Sequence, residues 1–169
     1  PYFAKYYNNL NQEEIISAYQ MENKNIQLNE KMERFKQCNK IVTEKNGDFF
    51  DLFAIDIKGE IEENCADILG FDKVIAILKI PKLNLSEPVY YGTSLGILDV
   101  GVGLLEGSSL PIGGIGNHTV LAGHRGLPTR EMFRNFHKLE VGDTFIIESV
   151  AGELTYQIIK IDVVMPNET

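Results

Sequence analysis

Lys73-Val74-Ile75-Ala76-Ile77-Leu78-Lys79-Ile80-Pro81 is where the chain changes character. Val74, Ile75, Ile77, Leu78 and Ile80 crowd into one short run, the density of a mostly buried strand, and Pro81 closes it because proline has no N–H to give to a ladder. Downstream, Leu83 to Leu85, Val89 to Tyr91, Gly101 to Leu105 and Thr119 to Ala122 read as further short strands, punctuated by Pro88, Gly92, Gly113-Gly114 and Gly123. Pro128 to Phe136 reads as a short helix, with the proline tolerated in its first turn. Gly142-Asp143 is a turn, and Thr144 to Ser149 pairs with Glu153 to Val164 as a hairpin around Ala151-Gly152. The alternation changes phase near Ile158, which predicts a bulge there. Many short strands, Gly/Pro turns and one short helix predict a mainly β chain, a barrel or a sandwich.

Upstream the pattern is different. Residues 8–45 are rich in Asn, Gln, Glu and Lys and contain no Gly or Pro. Asn11 ahead of Glu13 and Glu14 suits a helix start, and one or two amphipathic helices are predicted over about residues 10–38. Ile15, Tyr19, Ile26, Leu28, Met32 and Phe35 make an apolar stripe. It either packs on the domain or meets a partner helix, and it is too ragged for sustained heptads. Residues 46–72 are poorly patterned. Asn46-Gly47 signals a turn, and Asp48-Phe49-Phe50-Asp51-Leu52-Phe53 sets three aromatics among acids, either anchoring a surface loop or plugging a pocket. The chain therefore divides into residues 1–45, 46–72 and 73–169.

The 169 residues carry 16 basic and 24 acidic side chains, a formal charge of -8. That balance argues against a nucleic-acid binder, which needs a basic patch to displace counterions, and against simple electrostatic docking on an anionic membrane. No apolar run approaches the roughly 20 residues of a membrane-spanning helix. Cys38 and Cys65 make no disulfide scaffold and no CxxC, and three histidines apart from them point to no metal site. No cofactor motif stands out: the glycines of Gly101-x-Gly103 and Gly113-Gly114-x-Gly116 open no βαβ unit and read as turns. Glu62-Glu63 reads as a solvated acidic face. Residue 1 is proline, which predicts a fragment or a processed form.

The chemically informative segment is Asn117-His118-Thr119-Val120-Leu121-Ala122-Gly123-His124-Arg125-Gly126. Two histidines flank a short strand, and their separation of six positions puts both rings on one face if the strand is straight. His124 sits between glycines at the strand end, where backbone can approach a ligand closely, and imidazole is the natural general acid or base near neutral pH. His124 is the first candidate for catalysis, ahead of His118 and His137. Each is otherwise a hydrogen-bonded surface histidine. A nucleophile must accompany the base. Cys38 and Cys65 are candidates, although a small buried hydrophobe is the commoner fate of a free cysteine. Ser108 and Ser109 lack the strained elbow of a serine nucleophile.

These blocks, taken in order, resemble the class C, pilus-assembling sortases of Gram-positive bacteria. They are Ile77-Leu78-Lys79-Ile80-Pro81-Lys82-Leu83, Pro88-Val89-Tyr90-Tyr91-Gly92-Thr93, the run from Gly101 to Gly114, and His118-Thr119-Val120-Leu121-Ala122-Gly123-His124-Arg125-Gly126-Leu127-Pro128. The resemblance implies a sortase-type β-barrel with N-terminal α-helices and a lid loop, the barrel incomplete in this chain. It implies that His124 is the catalytic histidine and His118 a structural neighbour. Asp51 and Phe53, in Asp51-Leu52-Phe53, would be the lid residues that plug the site, with Asp48-Phe49-Phe50 as second choice; neither tripeptide carries the family's central proline. The family's Thr-Leu-x-Thr-Cys strand and later arginine are expected beyond Thr169, since neither cysteine and not Arg125 matches them. Ile158 to Val164 should then stand exposed as an edge. The activity implied is a cysteine transpeptidase that cleaves a Leu-Pro-x-Thr-Gly-like sorting signal and joins pilin subunits through a lysine amine, without cofactor or metal. The alternatives are a non-catalytic scaffold and a housekeeping sortase that anchors proteins to the cell wall. Partners would be pilins or surface proteins bearing the signal, at the extracellular face of the cell membrane, with the anchor outside this chain.

Overall fold

The computed structural model describes residues 2–25, 28–45, 65, 68–69, 73–128 and 130–164. Two helices open it, α1 (Tyr2–Asn25) and α2 (Leu28–Lys45). α1 begins before the predicted span and α2 ends after it. Asn11 lies inside α1 rather than at its start, because no Gly or Pro from Tyr2 to Leu10 stops the helix from extending toward the N-terminus. On α2, Phe35, Cys38, Asn39 and Val42 are buried at helical spacing. On α1 the Tyr19 hydroxyl donates to the carbonyl of Ile75 at 2.8 Å. The apolar stripe therefore packs on the domain, with Phe35 in the main core and Met32 against it.

The predicted strand at Lys73–Pro81 is β1 (Val74–Ile80), in the middle of a six-stranded sheet. β2 (Leu85–Tyr91) and β5 (Thr144–Ser149) flank it, both antiparallel. A 3-10 turn at Pro81–Leu83 reverses the chain into β2, with Asn84 left-handed at φ 48°. From β2 the chain crosses through α3 (Leu95–Val100) into β3 (Val102–Leu104), which pairs parallel with β2. β4 (Leu121–Ala122) pairs antiparallel with β3, and β6 (Gly152–Gln157) antiparallel with β5. The order β4-β3-β2-β1-β5-β6 curls into a half-barrel, mainly β with helices at the N-terminus. Ile77 and Leu104 are fully buried in it; a side chain of that kind stabilises the fold by about 1.5–3 kcal/mol.

Several boundaries differ from the expectations. The strand expected at Leu83 to Leu85 is the end of the 3-10 turn and the first residue of β2. Pro88 sits within β2 rather than between strands: its carbonyl faces Gly101, so its missing N–H lies on the β3 side, where pairing begins only at Val89. α3 was not anticipated. The helix expected from Pro128 to Phe136 is a 3-10 helix at Met132–Lys138. A tight turn in which Leu127 and Arg130 bond each other's backbone delays its start.

The ladder of β6 ends at Gln157, and the register irregularity of the sheet falls in β1 between Val74 and Ala76, not near Ile158. Ile158 instead bonds the Gly142-Asp143 turn through both its N–H and its carbonyl at 2.8 Å. Beyond it, Ile159, Ile161, Val163 and Val164 are exposed, but in no strand rather than along a sheet edge. Among the described residues no helix is long and apolar enough to cross a membrane.

α2 is fastened to the sheet side by one amide. Asn39 Nδ2 donates to the Leu110 carbonyl at 3.3 Å, and the Leu110 N–H donates to Asn39 Oδ1 at 2.6 Å, both buried. The side chain reproduces half of a strand pairing, and so satisfies a loop backbone that no strand reaches.

Candidate active site

His124 stands two residues past the end of β4, its side chain about one third exposed. Two features hold its backbone. The Phe133 N–H donates to the His124 carbonyl at 3.1 Å. The preceding Gly123 lies so close to the Phe133 ring that an added Cβ would come within 2.5 Å of it. Phe133 in turn stacks on Phe136 with centroids 4.0 Å apart. Glycine at 123 is thus a requirement of close approach, which lets an aromatic pair pack directly under the histidine loop.

The ring of His124 faces α3. Its Nε2 lies 3.5 Å from Asp99 Oδ1. Arg130 joins the two sides of this contact. Its backbone makes the turn with Leu127 that follows His124, and its Nη1 reaches the carbonyl of Asp99 at 3.5 Å. Its Nη2 pairs with Glu87 on β2 at 2.5 Å, with both side chains nearly buried. Glu87 also accepts from Gln12 of α1, whose amide reaches the Ser86 carbonyl at 3.2 Å. Burial pushes the Glu87 carboxyl above its ordinary value, opposed by the guanidinium of Arg130 and by Gln12.

The other sequence candidates are placed elsewhere or serve the backbone. The strand expected over Thr119 to Ala122 is shorter, Leu121–Ala122, so no straight strand joins His118 to His124. His118 is exposed on a segment fixed by its backbone, its N–H donating to Ser109 Oγ at 3.1 Å and its carbonyl accepting from the Ser109 N–H at 2.8 Å. Ser108 Oγ donates to the Leu105 carbonyl at 2.7 Å and accepts from the Val120 N–H at 3.2 Å. Both serines are buried struts of the histidine segment. His137 turns Nδ1 to the Arg134 carbonyl at 3.1 Å, within its own 3-10 helix. Arg125 is exposed beside His124.

Cys38 and Cys65 are free, fully buried and adjacent, with Cys38 Sγ 4.0 Å from the Cys65 carbonyl. The neighbouring Cys65 thiol and burial push the Cys38 thiol well up, away from the thiolate form. They are core residues of the helical layer. Gly113, Gly114 and Gly116 all have positive φ, as turns require. Asp51 and Phe53, with Asp48 and Glu62-Glu63, lie outside the described residues. No group of three or more His, Cys, Asp or Glu among the described residues is arranged to hold a metal ion.

Asp99, Arg130 and Glu87 were missed in the sequence. Ser94 before Leu95-Gly96-Ile97-Leu98-Asp99 was the available signal for a short helix. Nothing local says that its last turn faces a histidine 25 positions on.

Residues 78–169 match the sortase domain family model. The chain belongs to the sortase family. The match starts within β1 and takes in every strand described above from there on, with His124. Sortase D of Bacillus subtilis (strain 168) is 37% identical over 93 residues, 55% of this chain and 44% of that protein. This sortase chain thus spans less than half the length of that curated relative. Among solved structures, Streptococcus agalactiae Sortase C1 superposes with a TM-score of 0.75 at 33% identity, over 92% of this chain and 76% of that one. Sortase C of Streptococcus pneumoniae gives 0.75 at 34%, over 92% and 78%. Sortase C-1 of Actinomyces oris gives 0.72 at 32%, over 84% and 79%. A 92% share takes in most of the N-terminal helical part as well as the sheet.

Proposed function

We propose that this chain is the histidine-bearing part of a cysteine transpeptidase that joins pilin subunits at the outer face of the cell membrane. The observation that carries the reading is the likeness over 92% of the chain, at a TM-score of 0.75, to Sortase C1 of a pilus island. Neither Cys38 nor Cys65 is available as a nucleophile, being buried in the core. The proposal therefore draws the thiolate, and an arginine for the oxyanion, from outside these 169 residues.

The reaction has two proton transfers. The thiolate attacks the Thr carbonyl carbon of a Leu-Pro-x-Thr-Gly-like signal, and the Thr–Gly C–N bond breaks as His124 protonates the leaving glycine amine. A thioacyl enzyme results. A lysine amine of the next pilin then attacks that carbonyl, gives a proton to His124 and expels the thiolate, forming an isopeptide bond. A guanidinium beside the carbonyl oxygen stabilises the charge that develops in both steps. Placement two residues past a short strand, with about one third of the side chain exposed, gives the His124 ring access to solvent and substrate while Phe133 fixes its backbone. Asp51 and Phe53 would close the site when no signal is bound, the carboxylate toward the guanidinium and the ring toward the sulfur.

The test is cleavage of a quenched fluorescent Leu-Pro-x-Thr-Gly peptide by the full-length protein, with and without a lysine-bearing pilin peptide. His124→Ala should abolish both cleavage and joining while the circular dichroism spectrum stays unchanged. A folded His124→Ala protein that still cleaves would overturn the reading.

A further inference from the structure

We propose that Asp99 is a positioning residue for His124, holding the imidazole through Nε2 and leaving Nδ1 as the nitrogen that exchanges protons with substrate. The inference rests on the role proposed for His124 above. Three observations carry it. The Asp99 Oδ1 lies 3.5 Å from Nε2, on a different element from the histidine. That element is six residues long and would by itself place Asp99 loosely, but Arg130 Nη1 reaches the Asp99 carbonyl. The same guanidinium is fixed below by the buried Glu87, while the backbone of Arg130 forms the turn that follows His124. One residue therefore ties the helix that bears the carboxylate to the loop that bears the imidazole.

The chemistry follows from the two nitrogens of the ring. The group bonded to one nitrogen decides which tautomer the other presents. With Asp99 on Nε2–H, Nδ1 carries the mobile proton: it holds it while the glycine amine leaves, gives it up, and regains it from the attacking lysine. No electrons change hands and no further reactant is needed. When both nitrogens are protonated, the cationic ring faces a carboxylate rather than open solvent. Catalytic contacts of this kind are often long without substrate and tighten when it binds. Asp99 is itself more than half exposed, so its effect is a modest one.

The experiment uses the full protein labelled with 15N-histidine. Three histidines are present, and His124→Ala identifies the signal of interest. The expected result is a His124 Nε2–H cross peak that persists at about pH 8 in the wild type and is lost to exchange in Asp99→Asn and Asp99→Ala. Peptide cleavage by Asp99→Asn should show kcat lowered about three- to tenfold with KM within about twofold, the pattern of an interaction made in the transition state. A His124 imidazole spectrum indifferent to Asp99 overturns the inference, even where kcat falls, since the loss then arises elsewhere. A His124→Ala protein that still cleaves overturns the inference and the proposed function together, whereas an Asp99-indifferent imidazole in a His124-dependent enzyme overturns the inference alone.

Discussion

Arg130 Nη2 stands 2.5 Å from Glu87 Oε2, and the two side chains are only 9% and 4% exposed. The pair bridges β2 to the loop after His124, and Gln12 of α1 adds a second bond to Glu87. Two charges taken out of water together gain little over an apolar pair, but one left alone is costly. Glu87→Gln and Arg130→Met should therefore each lower unfolding free energy by about 3–5 kcal/mol, and the Glu87→Leu/Arg130→Met double variant by less than either. Urea melts measure all three. Single variants within about 1 kcal/mol of the wild type would show that the pair is not desolvated.

Tyr19 has the clearest pH signature. Burial raises its hydroxyl from 10.0 to about 12, and the O–H donates to the Ile75 carbonyl. The folded pKa is above the unfolded one, so the stabilisation is complete below about pH 10 and is lost as pH rises toward about 12. The loss across that window is about 2–3 kcal/mol. Tyr19→Phe should be about 1 kcal/mol less stable at neutral pH and should flatten the alkaline fall. Parallel stability curves for the two proteins between pH 9 and 12 would contradict the assignment.

Two glycines separate backbone crowding from side-chain crowding. A Cβ at Gly103 would lie 2.3 Å from the Gly92 carbonyl oxygen, a backbone atom just past the end of β2 that is held by the Gly92 N–H bond to the Leu104 carbonyl. A Cβ at Gly123 would meet the Phe133 ring, which can tilt. Gly103→Ala should prevent folding or lower Tm sharply. Gly123→Ala should cost about 1–3 kcal/mol and displace the His124 loop, lowering activity more than stability. Equal Tm losses in thermal scans would remove the distinction.

Asn39 satisfies both backbone groups of Leu110 in a buried setting. Asn39→Ala strands the Leu110 N–H, while the carbonyl keeps its bond from the Ile112 N–H, with an expected loss of about 1–3 kcal/mol. Because α2 is detached from the loop before the histidine segment, native-state hydrogen exchange should rise first at Leu110 and along α2. An exchange pattern that rises uniformly would argue against a local tether.

The lid proposed at Asp51 and Phe53 has a kinetic readout. Either alanine substitution in the full-length protein should speed modification of the active-site thiol by a soluble reagent. Equal labelling rates would remove the lid from the proposal.

Much of the architecture is visible in local patterns. The apolar density of Val74 to Ile80, the hairpin at Ala151-Gly152 and the Gly113 to Gly116 turns all appear where side-chain type predicts them, since burial and positive φ act within a few residues. His124 could be singled out because glycines on both sides and a strand end are local marks as well. The misplaced boundaries have non-local causes. Pro88 looks like a strand breaker until its missing N–H is seen to face the unpaired end of β3, and Ile158 looks like a bulge until it is seen to close on the Gly142-Asp143 turn. Periodicity and composition thus set the class, the element types and the candidate base. Which groups meet that base was settled by the crossing of α3 over the sheet and by a buried guanidinium, because contacts between Asp99, His124, Arg130 and Glu87 depend on register between strands, and register leaves no trace in any one segment.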